Sequence, residues 1–503
     1  MTAFAEVDPP CPRFRVNGVR RPRAPSGPSR PGPGRRGAFL LAAVLALSGC
    51  ATYNDDVAAV RKSWNLGAWE GAAAAGARLA RDDPDHRNAV LFGLEEGTVL
   101  RAVRRFDASQ DTYESTWDRI QEMDLRAEFR ISQAGLSLLV NPGLTVYEAR
   151  TYDRIMLHAY SALNYLELED PGAARVALNR AYDAQQSAVA ENAERIRQTK
   201  EEIEEKRADD SGQVDLGKIA DAPATQAKLA ALYEPVRSLE PYAPYVNPFA
   251  VYLDGLFFLA HATDASDLER GLKSMERVSR LNPRSDWLAE EHALARRIVA
   301  GKGQPPSVVV LFETGLAPIR AAETLELPLF LFGSGSVPYF AAAFPVLRFQ
   351  DPFPETLRVR AGDGTASTEV IADMDRVIAQ EFRDHESLVV TQALLSGATK
   401  AAVFYAARSQ AKDDSAAQAF IDIAGIFYQA ATNHPDLRTW FTLPKQFQGI
   451  RLPMPEDRTL TLSFPPGNQK VEVSLEEGKV VVVHVRVTAT PADPVVHQFP
   501  LVP

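Results

Sequence analysis

Between residues 55 and 300 apolar positions recur at three- and four-residue spacing among many Ala, Leu, Arg and Glu, which predicts a succession of amphipathic helices. Turn residues divide them into pairs. Gly67 to Ala72 leads to Asp83-Pro84, Tyr160 to Asp170 precedes Ala173 to Ala181, and Tyr252 to Ala260 precedes Asp267 and a helix closing at Leu281-Asn282-Pro283. One such hairpin cannot bury its apolar stripe alone, so neighbouring hairpins must stack. Glu191 to Arg207 is almost wholly charged or polar, with Glu191 and Arg195, and Glu202 and Lys206, in the favourable i, i+4 order. It reads as a charged helical arm near 185–240, broken at Asp209-Asp210-Ser211-Gly212 and returning over Thr225 to Leu239.

After the linker Gly301-Lys302-Gly303-Gln304-Pro305-Pro306 the period changes from helical to two. Strands are expected at Ser307 to Phe312, Thr324 to Leu327, Thr356 to Arg360, Thr368 to Ile371, Arg458 to Phe464, Lys470 to Leu475 and Lys479 to Val487, with turns at Gly467 and Gly478. Two helices interrupt them, Asp373 to Arg408 with a break near His385, and Ser415 to Thr432. The fold class is α+β: a helical repeat domain over 50–300, then an antiparallel β-module over 307–503 with helices near 373–432. Leu388 to Ala407 is apolar, but Gln392, Lys400 and its Ala content make it a buried helix rather than a membrane span.

The chain has 503 residues, 46% hydrophobic and 24% charged, which excludes wholesale disorder, a collagen-like repeat and a polytopic membrane protein. Its net charge of −10 argues against a nucleic-acid binder, which needs a basic surface. Two cysteines, Cys11 and Cys50, make neither a disulfide framework nor a thiolate zinc site.

Residues 1–37 hold eight Arg, no Lys and two acids among many Pro and Gly, a leader too poor in apolar surface to fold. Arg35-Arg36, the apolar run Ala38 to Leu47 and Ser48-Gly49 follow, in the pattern of a secretory signal. Leu47-Ser48-Gly49-Cys50 resembles the bacterial lipobox, which implies that Cys50 is acylated and becomes the first residue after removal of 1–49. Stable attachment takes more than one acyl chain. Ala51-Thr52 lacks the Asp that holds such proteins at the inner membrane, so the expected location is the periplasmic face of the outer membrane.

The eight His stand singly along the chain, at 86, 158, 261, 292, 385, 434, 484 and 497, without the i, i+4 spacing of a helical metal site. Each reads as a surface or satisfied histidine. Gly333-Ser334-Gly335-Ser336 lacks the downstream Lys of a phosphate loop, and no Gly-x-Ser-x-Gly elbow occurs. No catalytic residue, metal or cofactor is therefore assigned. Two groups of residues are candidates for binding or for a structural clasp. Phe312 to Arg320 ends a buried strand in a Gly/Pro turn, with Glu313 and Arg320 as an acid and a base that read as a structural ion pair or a solvated turn. In Pro435 to Pro444, Asp436, Arg438 and Trp440 share one face if the chain is extended, so that Arg438 can pair with the carboxylate and stack on the indole.

The blocks at Tyr160 and Tyr252 resemble tetratricopeptide repeats, although their spacing drifts from the regular 34-residue period. The lipobox, Tyr147-Glu148-Ala149-Arg150, Phe312 to Pro318 and Asp436 to Pro444 together resemble a family of proteobacterial outer-membrane lipoproteins whose motifs carry no assigned chemistry. Such proteins are often encoded near activator lipoproteins of penicillin-binding proteins. The resemblance implies a non-enzymatic, lipid-anchored scaffold that holds a periplasmic protein partner, such as a peptidoglycan synthase or its activator. The alternatives are an envelope hydrolase or transferase using Glu313, and a lipid or ligand carrier.

Overall fold

The computed structural model describes residues 53–82, 87–130, 145–209, 215–330, 339–410 and 435–503, except 466, 468, 490 and 491. Cys50 and its leader, Asp83-Pro84, His86, the loop Gly333 to Ser336, the expected helix Ser415 to Thr432 and His434 lie outside the described residues.

Helices come first. The opening helices are α1 (Tyr53–Asp56), α2 (Ala58–Asn65), α3 (Trp69–Asp82), α4 (Ala89–Ala102) and α5 (Phe106–Arg130). They are followed by α6 (Thr151–Glu167), α7 (Pro171–Asp209), α8 (Leu216–Asp221) and α9 (Pro223–Arg237), then α10 (Pro248–Ala260), α11 (Ala265–Leu281) and α12 (Asp286–Arg297). Side-chain caps fix several starts: Asn247 accepts from Phe249 N–H, Asp264 from Ser266 and Asp267, and Ser285 from Leu288. The α6 start is capped from a distance, because the Glu381 carboxylate accepts the Thr151 and Tyr152 N–H groups at 3.2 and 3.3 Å.

The strands are β1 (Ser307–Thr314), β2 (Ile319–Pro328), β3 (Tyr339–Arg348), β4 (Arg358–Ala361), β5 (Gly364–Ser367), β6 (Glu369–Asp373), β7 (Gln446–Pro453), β8 (Thr459–Ser463), β9 (Lys470–Ser474), β10 (Val480–Val487) and β11 (Val495–Val502). Between β6 and β7 lie α13 (Met374–Asp384) and α14 (Glu386–Gln410), which meet at His385. One sheet has the order β11-β10-β1-β7-β6, a second β5-β4-β8-β9, and β2 with β3 forms a separate hairpin. The expectation of an antiparallel module needs one correction: β1 and β10 run parallel, Glu313 opposite Arg486. Both are central and wholly buried, as the Val-rich sequences VVVLF and VVVVHV require, and a strand covered on both faces no longer alternates.

Those two faces have different covers. Leu311, Phe499 and Leu501 meet Leu163, Leu166, Leu253 and Phe257 of α6 and α10. On the opposite face Phe312 meets Phe464, which follows β8, with ring centroids 6.3 Å apart. A single hydrophobic core therefore runs from the helices through the first sheet to the second, and Ala51–Pro503 forms one compact unit. The linker at 301–306 marks a change of element within that unit, where Gly301 takes a left-handed φ of 78° and ends the helix.

The first leg of the expected charged arm lies in α7. In α7, Arg197 pairs with Glu194 and Glu201 at 2.5 Å in exposed i, i+3 and i, i+4 contacts. The return leg differs from expectation, because α9 docks on the β2–β3 hairpin: Tyr233 donates to the Pro345 carbonyl at 3.3 Å and its ring meets Phe382. Among the described residues no helix is long and apolar enough to cross a membrane. α14 lies instead against β3, where Gly397 lets the helix approach Phe340.

Candidate functional site

Polar residues concentrate in the seam between the helices and the first sheet. On β10, His484 and Arg486 are two residues apart and face the helical side, as does Glu313 on β1. His497 on β11 stands opposite His484. A continuous hydrogen-bonded chain results. Glu167, at the end of α6, meets His497 Nδ1; His497 Nε2 lies 2.8 Å from His484 Nδ1; and His484 Nε2 lies 2.8 Å from Glu313 Oε1. Tyr160 donates to Glu313 Oε2 at 3.0 Å, and Arg486 Nη1 is 3.8 Å from the same oxygen.

Three hydrogen bonds between two carboxyls and two imidazoles require three protons. If each imidazole is neutral, the third proton belongs to one carboxyl. Burial pushes Glu167 up to about 8. Burial would also raise Glu313, but His484 beside it, with Arg486 and Arg101, holds it below the usual carboxylate range. Burial depresses both His484 and His497. The arrangement consistent with these directions is neutral Glu167 donating to His497, His497 to His484, and His484 to anionic Glu313. The nearby Arg486 and Arg101 balance that charge. Moving each proton along its bond would reverse the chain and transfer the charge to Glu167.

A second buried carboxyl ties the seam to the segment after Pro435. Glu95 of α4 receives Phe441 N–H at 2.8 Å, Thr442 N–H at 3.2 Å and the Thr442 hydroxyl at 2.6 Å. Tyr53 Oη lies 2.9 Å from both Glu95 Oε1 and the Thr439 carbonyl, although one hydroxyl has only one hydrogen to give. Burial raises the Glu95 carboxyl to about 8. A protonated Glu95 donating to Tyr53, which donates to Thr439, satisfies both contacts.

The residues singled out in the sequence separate into two neighbourhoods. Glu313 and Arg320 are not an ion pair. Glu313 turns to His484, Tyr160 and Arg486, while Arg320, six residues beyond β1 at the start of β2, lies over the Phe382 ring at 5.2 Å. The turn between them closes tightly: a Cβ on Gly315, at φ 68°, would sit 2.9 Å from the Lys445 Cβ. Asp436 and Arg438 do pair, through Nε at 2.8 Å and Nη2 at 3.1 Å. The stacking expectation is corrected: the Arg438 guanidinium lies over Tyr147 at 5.3 Å, not over Trp440. Trp440 is fully buried, donates to Thr98 and Thr442, and meets Tyr113 and Tyr160 edge-on. Arg438 is tied further to Asn88 and to the Thr145 carbonyl.

His484 and His497 are the residues that the sequence reading left isolated. Their signal was the alternation of His484 and Arg486 in a Val-rich strand, which places two polar groups on one otherwise apolar face. Among the described residues no group of three His, Cys, Asp or Glu is placed to hold a metal. The His and Glu side chains form a line rather than converging on a point.

No protein-family model matches the chain, and no curated protein is similar to it in sequence. A solved structure similar to it is that of a tetratricopeptide repeat protein from Parabacteroides merdae. It is 14% identical, over 48% of this chain and 98% of that one, with a TM-score of 0.14. These comparisons assign no family.

Proposed function

We propose that this protein is a non-enzymatic adaptor, anchored through lipidated Cys50 to the periplasmic face of the outer membrane, whose tetratricopeptide-like helices hold a protein partner of cell-envelope assembly. The observation that carries the reading is α7. At 39 residues it is roughly 58 Å long, and it leaves Val176, Tyr182 and Val189 exposed at 48%, 41% and 53%. Exposed apolar side chains along a long helix suit helix-mediated recognition. The anchor rests on the lipobox pattern and the partner class on the lipoprotein-family resemblance. The groups with chemical potential are turned inward: Glu313, His484 and His497 are all less than 5% exposed. A hydrolase using Glu313 would have to open this seam to reach a substrate.

Crosslinking of the full-length protein in living cells, with neighbours identified by mass spectrometry, tests the proposal. The expected result is enrichment of peptidoglycan synthases or their activators, lost in Cys50→Ala. The absence of a specific neighbour, or an identical set with and without Cys50, would contradict it.

A further inference from the structure

Near the start of β2, Arg320 holds a cation that no described carboxylate meets in direct contact, Asp436 acting on it only through its charge. Its Nε is shut off from water, yet no described residue gives the guanidinium a hydrogen bond or an ion pair. The guanidinium lies over the Phe382 ring, 5.2 Å from its centroid. Buried charges are ordinarily paired, because desolvation without compensation costs several kcal/mol. The residue as a whole is half-buried rather than sealed.

The carboxylates nearby hold other hydrogen-bond partners, although Asp153 Oδ1 is buried with none among the described residues. Asp436 is held by two nitrogens of Arg438, with Arg150 Nη2 3.9 Å away. Asp153 receives the Tyr147 hydroxyl and the Arg150 N–H, and Glu381 caps α6. Arg150 meets Tyr152 Oη at 3.1 Å and, with Arg320, acts electrostatically on Asp436. Burial, and then the charge of Arg150, depress Arg320 to about 10, the direction expected of a cation with too little negative charge around it.

We propose that Arg320 is the anchor of a binding site for a carboxylate presented from solvent, with the guanidinium fork supplying the hydrogen bonds and Arg150 supplying additional positive potential. A planar guanidinium pairs bidentately with a carboxylate or a phosphate. Asp436, Asp153 and Glu381 favour the ligand with one negative charge, since a dianion would meet more repulsion.

The test is thermal unfolding of the protein in sodium acetate, against sodium phosphate and sodium chloride at equal ionic strength. The variants are Arg320→Gln, Arg320→Lys and, as a control, Arg237→Gln, whose arginine pairs with Glu386. Acetate at saturating concentration should raise the wild-type midpoint above that in chloride by on the order of 1 °C. The increment should vanish in Arg320→Gln, shrink in Arg320→Lys and persist in Arg237→Gln. In chloride Arg320→Gln should unfold at the wild-type temperature or above it, because it removes an unpaired cation. An acetate increment equal in all variants overturns the proposal, as does an Arg320→Gln protein markedly less stable in chloride. A larger Arg320-dependent increment with phosphate overturns the assignment to carboxylate.

Discussion

His484 and His497 face each other across β10 and β11, Nδ1 of one 2.8 Å from Nε2 of the other, and each uses its second ring nitrogen to reach a buried glutamate. Neither imidazole can be replaced by an apolar group without leaving a buried partner unsatisfied. His484→Leu or His497→Leu should each destabilise the protein by about 1–3 kcal/mol. The double variant should cost less than the sum, because the bond between the rings is lost once. Denaturant unfolding of the three variants checks this.

The same chain sets a pH dependence. Glu167 titrates near 8 in the folded protein and near 4.5 when unfolded, so the folded state holds an extra proton between those values. Stability from this group is complete below about 4.5 and is lost as pH rises through 8, by about 1.4 kcal/mol per pH unit within the window. Glu167→Gln keeps a donor toward His497 and removes the titration. Between pH 6.5 and 8 the wild type should lose stability relative to Glu167→Gln. Glu313 has the opposite sign, its contribution lost as pH falls below about 4.5. Parallel wild-type and Glu167→Gln unfolding curves from pH 6.5 to 8 would show that Glu167 is not the proton holder.

Glu95 clasps residues 439–442 to α4. Glu95→Ala leaves the Phe441 and Thr442 amides without their acceptor and should cost about 2–4 kcal/mol. Hydrogen exchange should rise first at those two amides. Uniform acceleration over the whole chain would mean that the segment is held by other contacts.

Strand legibility followed side-chain type. β1, β8, β9 and β10 are β-branched and apolar, and the alternation or continuous burial of such residues is a local signal. β3, β7 and β11 contain Pro345, Gly449 and Pro500, residues that read as breaks. In β7 the glycine answers to tertiary contact, because a Cβ on Gly449 would lie 2.5 Å from the Trp287 ring of α12. Without β11, His497 had no strand to place it opposite His484. The Asp436 and Arg438 pair was legible because both lie on one extended segment, whereas the Tyr147 ring under Arg438 comes from a distant part of the chain.

That glycine gives a further test. Gly449→Ala should destabilise by about 1–3 kcal/mol through overpacking. Trp287→Phe in the same chain should recover part of the loss by making room. Additive losses in the double variant would show that the indole does not limit the site.

The adaptor reading stands on the exposed face of α7. The most direct measurement places a photo-crosslinking residue at Tyr182 or Val189 of α7, and as a control at Glu472 of β9, in the lipidated protein in living cells. The account expects one discrete adduct, the same protein, from both α7 positions and none from β9. No adduct from α7, or the same adduct from all three positions, would contradict it.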